Sequence, residues 1–268
     1  MATRKTATAA PRSARPVTVR RDGEIAIVTL NRPEKRNALG DDMVALLDRF
    51  FAQPPAGVRA AVITGAGTHF SAGLDLSTLR VRDVVEGMHH SRSWHIAFEK
   101  IQFGRIPVVA AMHGAVIGGG LELAAAAHVR VADETVFYAL PEGQRGIFVG
   151  GGGSARLPRL IGVACMTDMM LTGRVYKAQE GAQRGFAQYL VPPGEALGKA
   201  VELARKMAGN AGMTNYAVMH ALPRIADSTQ EIGLFTESLI ATIASSAPEA
   251  RERVQAFLAG RAGKVKAD

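Results

Sequence analysis

Residues 107–142, PVVAAMHGAVIGGGLELAAAAHVRVADETVFYALPE, form the stretch that decides the fold. The apolar run from Val108 to Met112 has the length and composition of a strand buried on both faces. It meets Gly114 and then Gly118, Gly119 and Gly120, after which an alanine-rich helical pattern begins with Glu122. Glycines at a strand-to-helix turn let the backbone take conformations closed to other residues and let a ligand come close. The first N–H groups of the new helix have no partner within it. They lie at its positive end, so they favour an oxygen carrying negative charge. Glu122 falls within reach of whatever those groups hold. After a second strand-like run at Val136, Phe137 and Tyr138 comes Pro141-Glu142. Two carboxylates flanking an anion-binding turn point to acid–base chemistry beside an oxyanion.

Three further stretches carry information of the same kind. They are NRPEKRNAL at 31–39, FSAGLDL at 70–76 and GSARLPRLIG at 153–162. Taken in order with GGGLEL and the later Pro141-Glu142-Gly143, they resemble the crotonase (enoyl-CoA hydratase/isomerase) superfamily across residues 17–192. The resemblance implies an α/β fold, a crotonase-like spiral of ββα units with helices outside and a C-terminal helical region. It divides the chain into a disordered basic arm at 1–16, a crotonase-like core at 17–194 and a helical trimerisation region at 195–268. It also implies an acyl-CoA substrate and a homotrimer or hexamer. No cofactor is expected, because coenzyme A is part of the substrate.

Residue by residue, the resemblance assigns the oxyanion donors to the backbone N–H groups of Leu74 and Gly119. Backbone donors explain why a leucine can stand at the first position. Glu122 is expected to orient and deprotonate water, and Glu142 to donate a proton at C2. Lys35 and Arg36 are expected to meet phosphates of coenzyme A as cations. Ala72, Asp75 and Leu76 are expected near its adenine, with Ala38 and Gly118 in the same substrate-binding set. Phe257 and Lys264 align with positions near the coenzyme A of a neighbouring subunit. The implied reaction is syn addition of water to a 2-enoyl-CoA thioester. An enoyl-CoA delta-isomerase is the alternative, and a hydrolase or decarboxylase on the same scaffold stays open because fold does not fix function. The family often has Cys-Asp where this chain has Ala127-His128, a departure expected to act on structure and not on the reaction.

Composition narrows the field. At 268 residues the chain suits one large domain, or one domain with an appendage. No apolar run reaches the roughly 18 to 20 residues that a membrane-spanning helix needs. The single cysteine, Cys165, has no internal partner for a disulfide, which suits a reducing compartment, and it is expected to pack in the core. The expected location is cytoplasmic, with the mitochondrial matrix as the alternative. The net charge of +8 is uneven: residues 1–21 carry six Lys/Arg and no acid. The excess therefore reads as solvated ends, and nucleic acid is not an expected partner. The arm has the Arg- and Ser-rich, acid-poor composition of a transit peptide but lacks the apolar stretch of a secretory signal. An RNA-binding protein on this fold would use the basic ends as contacts. An inactive scaffold would have no need of both glutamates and both glycine turns.

The remaining elements follow in order. Val17 to Leu30 reads as a hairpin turning at Asp22-Gly23. Asp41 is expected to cap a helix whose apolar face is Met43, Leu46, Leu47, Phe50 and Phe51. Ala60 to Thr64 is a strand. Phe70 to Leu76 reads as an incoming strand that turns at Ala72-Gly73. Residues 77–104 read as an irregular helical stretch, where Trp94 and Phe98 either line an acyl pocket or pack together. His89, His90 and His95 do not share one helical face, and the chain has no Cys-x-x-Cys or H-E-x-x-H, so no metal is expected. Gly150 to Gly153 lacks the Lys-Ser/Thr of a phosphate loop and reads as a tight turn before a helix holding Leu157 and Leu160. From Glu195 onward the pattern is helical, and His220 reads as a structural histidine within it.

Overall fold

The computed structural model describes residues 15–261. Most of the basic arm, and Lys264 at the other end, lie outside the described residues. The hairpin consists of β1 (Val17–Asp22) and β2 (Ile25–Leu30), paired antiparallel from Val17 opposite Leu30 to Asp22 opposite Ile25. From β2 onward the sheet is parallel, through β3 (Ala60–Gly65), β4 (Val108–Met112), β6 (Val129–Asp133) and β9 (Tyr189–Val191), in the order β1-β2-β3-β4-β6-β9. A second, smaller sheet has the order β5-β7-β8, from β5 (Ala115–Ile117), β7 (Phe137–Ala139) and β8 (Tyr176–Lys177).

The continuous apolar runs are explained by burial on both faces. Strand side chains alternate, so neighbours along one strand enter different cores. Val108, Ala110 and Met112 of β4 join the larger core, together with Ala61 and Ile63 of β3 and Ala26, Val28 and Leu30 of β2. Val109 and Ala111, with Ala60 and Val62 and with Ile25 and Ile27, face the other way. That second face is closed by α7 (Ala196–Ala208) through Ala196, Ala200, Val201, Leu203, Ala204 and Ala208. Small residues along α7 let it lie close to the strands. The first helix after residue 194 is thus part of the sheet's packing. The helices beyond it, α8 (Gly212–Ala226), α9 (Gln230–Ser246) and α10 (Pro248–Leu258), bury little: Met219 in α8, Gly233 in α9 and no residue of α10.

On the larger core lie α1 (Asp41–Ala52), α2 (Val84–Gln102), α3 (Gly119–Ala126) and α4 (Gly153–Ile161), followed by α5 (Val163–Thr172) and α6 (Ala178–Arg184). Met43, Val44, Leu47 and Phe51 of α1 are buried, with Leu46 and Phe50 packed against them. Cys165 is buried in the same core. Among the described residues no helix is long and apolar enough to cross a membrane.

Three local expectations are corrected. Asp41 does not cap α1; it is the first helical residue, Gly40 holds the cap position, and the Asp41 carboxylate accepts instead from Trp94. The stretch at 77–104 is a regular helix from Val84 to Gln102, started by Asp83, whose side chain accepts from the Glu86 N–H at 2.8 Å. Phe70 and Ser71 do not form a strand. Ser71 makes a single bridge to Val116 before Gly73 turns the chain at a φ of +86°. One bridge is all the edge of β5 can offer before that turn.

His128 has the structural role expected of it. Its Nδ1 accepts the Val108 N–H at 3.0 Å, and its Nε2–H donates to the Gln102 carbonyl at 3.0 Å. The ring therefore ties the end of α2 to the start of β4 as a neutral imidazole. Burial holds its pKa down, from the ordinary 6.5 to about 4. Above the ordinary value the ring is neutral in both folded and unfolded chains. Below it the unfolded chain gains a proton that the folded one refuses, so stability is lost as pH falls from 6.5 to about 4. A shift of this size corresponds to about 3 kcal/mol. Urea unfolding of wild type and His128→Asn, whose side-chain oxygen can still accept the Val108 N–H, measures it. The wild type should lose about 3 kcal/mol more than the variant across that window. Parallel pH dependences would refute the assignment.

Candidate active site

Two glycine turns interlock at the centre of the larger core. At the first, Gly73 has a φ of +86°, and a Cβ there would lie 2.6 Å from the Ile117 carbonyl oxygen and 3.1 Å from the Gly119 nitrogen. At the second, Gly118 has a φ of +51° and precedes α3. At Gly73 a side chain is excluded because the two backbones touch, and at Gly118 because the positive φ and the Glu142 carboxyl group leave no room for one. Around the first turn the Leu39 N–H donates to the Gly73 carbonyl at 2.7 Å, and the Asp75 N–H to the Leu39 carbonyl at 2.8 Å. This clamp holds the residues on either side of Leu74 and leaves the Leu74 N–H pointing away. The Gly119 N–H is the first of α3, with no partner in the helix. Among the described residues neither N–H has an acceptor. A Cβ placed on Gly119 would fall 3.6 Å from the Leu74 nitrogen, so both donors open onto one small volume.

Glu122 lies in the first turn of α3 and is 3% exposed. Its Oε1 accepts the N–H groups of Gly151 and Gly153, each at 2.8 Å. The four-glycine run does lead into α4, as expected, but it also cradles this carboxylate. A Cβ on Gly153 would come within 2.7 Å of Glu122 Cγ, and one on Gly151 within 3.2 Å of Oε2. Arg156 steadies the cradle, with Nη1 donating to the Gly151 carbonyl at 3.0 Å and Nε to Gln102 Oε1 at 2.7 Å. The sequence reading weighed these glycines only against a phosphate and missed a carboxylate of the chain itself. The signal was partial: consecutive glycines before a helix suit an anion, but Glu142 is nearer along the chain than Glu122, and only the fold brings Glu122 to them.

Glu142 follows the end of β7 and is 7% exposed. A Cβ on Gly118 would sit 2.6 Å from its Oε1, so this glycine also makes room for the carboxyl group. Its Oε2 is buried and has no hydrogen-bond partner among the described residues. Burial, reinforced by the nearby charge of Glu122, pushes the Glu142 carboxyl up to about 7. Burial pushes Glu122 up as well, while the Gly153 and Gly151 N–H groups and Arg156 pull against it. Donors to a carboxylate favour its charged form. The glutamate with two donors is therefore the better anion, and the one with an orphaned oxygen is the better holder of a shared proton.

Both glutamates and both free N–H groups line one cavity of about 180 Å³, with Trp94 and Val149 completing its inner wall. The Trp94 ring edge lies against Gly119, where a Cβ would meet it at 3.2 Å. Phe98 sits behind, fully buried, its ring centroid 5.8 Å from that of Trp94. A larger hollow of about 720 Å³ lies between α2, α4 and α8, and neither glutamate lines it. Among the described residues no three His, Cys, Asp or Glu side chains gather where they could hold a metal. His220 Nε2–H donates to the Gly104 carbonyl, 3.0 Å away, and the ring stacks on Tyr216.

The residues expected to meet coenzyme A gather around the bridge between Leu39 and Leu74. Ala38 is buried, Ala72 donates its N–H to the Arg36 carbonyl at 2.9 Å, and Leu76 is exposed. The Asp75 carboxylate is already committed. It accepts from the Ser77 N–H and hydroxyl and from Lys35 Nζ at 2.9 Å, and the Asp75 backbone carbonyl accepts from the Thr78 N–H and hydroxyl. Arg36 and Asn37 both take positive φ, at 51° and 55°. Asn37, absent from the expected site, is fully buried and ties the loop down through the carbonyls of Ala66 and His69 at 2.8 and 2.7 Å. Phe257 is exposed on α10.

The enoyl-CoA hydratase/isomerase family profile matches residues 20–266. A short-chain-enoyl-CoA hydratase of Clostridium acetobutylicum is 30% identical over 248 residues, covering 91% of this chain and 95% of the relative. The 2,3-dehydroadipyl-CoA hydratase of Escherichia coli is 31% identical over 250 residues, covering 92% and 97%. A solved structure from Rhodopseudomonas palustris, described as a candidate enoyl-CoA hydratase, is 58% identical with a TM-score of 0.90, covering 92% of this chain and 95% of that one. The chain, with its paired glycine turns and two buried glutamates, belongs to the enoyl-CoA hydratase/isomerase family.

Proposed function

We propose that this protein adds water across the 2,3 double bond of an enoyl-CoA thioester. The observation that carries the reading is the pair of unclaimed N–H groups, Leu74 and Gly119, facing the same cavity as two buried carboxyl groups. The thioester oxygen sits between the two N–H groups. The Glu122 carboxylate takes a proton from water, and the water oxygen bonds to C3. The C2–C3 π electrons move towards the thioester, and its oxygen gains negative charge where the two donors wait. The Glu142 carboxylic acid then delivers its proton to C2, on the face from which water arrived. Water has been added, Glu122 is protonated and Glu142 is ionised. Moving one proton between them restores the starting state. The reaction needs no electron carrier, and coenzyme A enters with the substrate.

The same reading places coenzyme A along Lys35, Arg36, Ala72 and Leu76, with the acyl group inside. It also takes the chain as a trimer or hexamer. In support, α8 and α9 leave Leu222, Phe235 and Leu239 largely exposed. The named relatives differ in acyl group, so they do not decide which one this cavity takes.

Loss of the enone absorbance of crotonyl-CoA tests the reaction. Wild type should turn it over, and Glu122→Gln and Glu142→Gln should each fall by about 100- to 10,000-fold. Isomerisation of a 3-enoyl-CoA without hydration would replace this reading by the isomerase one. The pH profile tests the division of roles: kcat/KM should decline tenfold per unit above about 7, as Glu142 loses the proton it must donate. A flat profile between pH 6 and 9 would remove Glu142 as proton donor. Gly153→Ala tests the cradle. The added Cβ must displace Glu122, so kcat should drop about 100-fold with little change in melting temperature. Full activity in that variant would show that the cradle does not position the base.

A further inference from the structure

Arg82 stands in the wall of the same cavity and has no role in the hydration just described. It lies on the short connection between the 3-10 turn at 76–78 and Asp83, the residue that caps α2. Its side chain keeps only 15% of its surface in solvent, low for an arginine. Its nearest acid is Asp41, whose Oδ2 is 3.9 Å from Nη2, beyond hydrogen-bond distance. Asp41 is itself engaged elsewhere, because its Oδ1 accepts the Trp94 indole N–H at 3.1 Å and meets His90 Nε2 at 2.7 Å. Among the described residues no acceptor takes any of the guanidinium N–H groups of Arg82. A shielded cation with its planar fork unused is matched to a carboxylate brought by a ligand.

Trp94 shows where along a bound acyl chain this fork would lie. One edge of its indole touches Gly119 at the oxyanion turn, and its Nε1 end reaches Asp41 beside Arg82. An acyl chain that begins with its carbonyl at Leu74 and Gly119 and runs along the indole therefore ends near Arg82 and His90. The cavity of about 180 Å³ is short. A cavity of about 150 Å³ takes a benzene ring, so about six or seven chain atoms fill this one.

Resting on the hydratase reading, we propose that the substrate is a short 2-enoyl-CoA whose acyl chain ends in a carboxylate, and that Arg82 receives that carboxylate. Asp41 holds Arg82 in place by charge without occupying its fork, and the Trp94 indole sets the distance between the two ends of the acyl group. A neutral chain of the same length leaves the guanidinium buried against apolar atoms with its donors unmet, which costs affinity.

Two six-carbon probes test this. Hydration of 2-hexenoyl-CoA and of its counterpart ending in a carboxylate should differ in kcat/KM by at least about tenfold in favour of the acid. Arg82→Met should collapse that ratio to about one or below, and Arg82→Lys should recover part of it. Calorimetric binding of the saturated thioesters, adipyl-CoA and hexanoyl-CoA, reads the same preference without turnover. Equal affinity of the wild type for those two, or a preference that survives Arg82→Met, overturns the inference even if hydration is confirmed. Absence of hydration with every thioester overturns the hydratase reading instead, while the binding comparison still decides whether Arg82 receives a carboxylate.

Discussion

A carboxylate buried to 3% exposure needs donors, and the way Glu122 obtains them organises much of the site. An isolated ionised group in such a place would neutralise or force the structure open. The N–H groups of Gly151 and Gly153 meet its Oε1 from a loop 29 to 31 residues further along the chain. That requirement explains why the loop is glycine: side chains at 151 and 153 would collide with the carboxylate they serve. It explains why Arg156 is buried, since it fastens the loop to α2 through Gln102. It also brings the start of α4 against the start of α3, which closes the cavity on one side.

The second constraint is backbone against backbone. Gly73 lets its turn approach the backbone at Ile117 and Gly119 until the nitrogens of Leu74 and Gly119 share a space, and Gly118 leaves room there for Glu142. The hydrogen bonds flanking Leu74 go to Leu39, so the donor between them stays unspent. Oxyanion stabilisation depends on donors aimed in advance, which need no reorganisation when charge develops. A β-bridge on one side and a helix start on the other supply that rigidity without any catalytic side chain. The two glutamates then differ through environment alone: one has donors, the other an orphaned oxygen and a pKa pushed up to about 7. Identical side chains thereby come to hold a proton with different strength.

Within one small cavity the reacting end and the far end have different characters. Near Gly119 the wall is backbone and carboxyl. Beyond Trp94 it is Arg82 and His90, from α2 and from the connection that leads into it, with Asp41 of α1 beside both. The reacting end is built on rigid strand-to-helix turns, while the far end rests on the segment whose sequence carries least regular patterning. The two ends of the cavity therefore rest on different parts of the chain.

The sequence alone determined the class of fold and the candidate reacting groups. Continuous apolar runs announced buried strands, and the glycines at 73 and 118–120 announced strand-to-helix turns open to a ligand. Glu122 and Glu142 followed from their spacing to those turns and from the resemblance that the four motifs carry together. Such features are local: each depends on residues within a few positions of one another. What only the tertiary structure decided are contacts between distant segments. The glycine run at 150–153 looked like a turn until Glu122 was found inside it, Asp41 looked like a helix cap until Trp94 and His90 claimed it, and α7 looked like part of a separate helical region until it lay on the sheet. Arg82 was one charge among many in the sequence. Its meaning comes from burial without a hydrogen-bond acceptor among the described residues, and whether one is within reach is settled only when the chain has closed on itself.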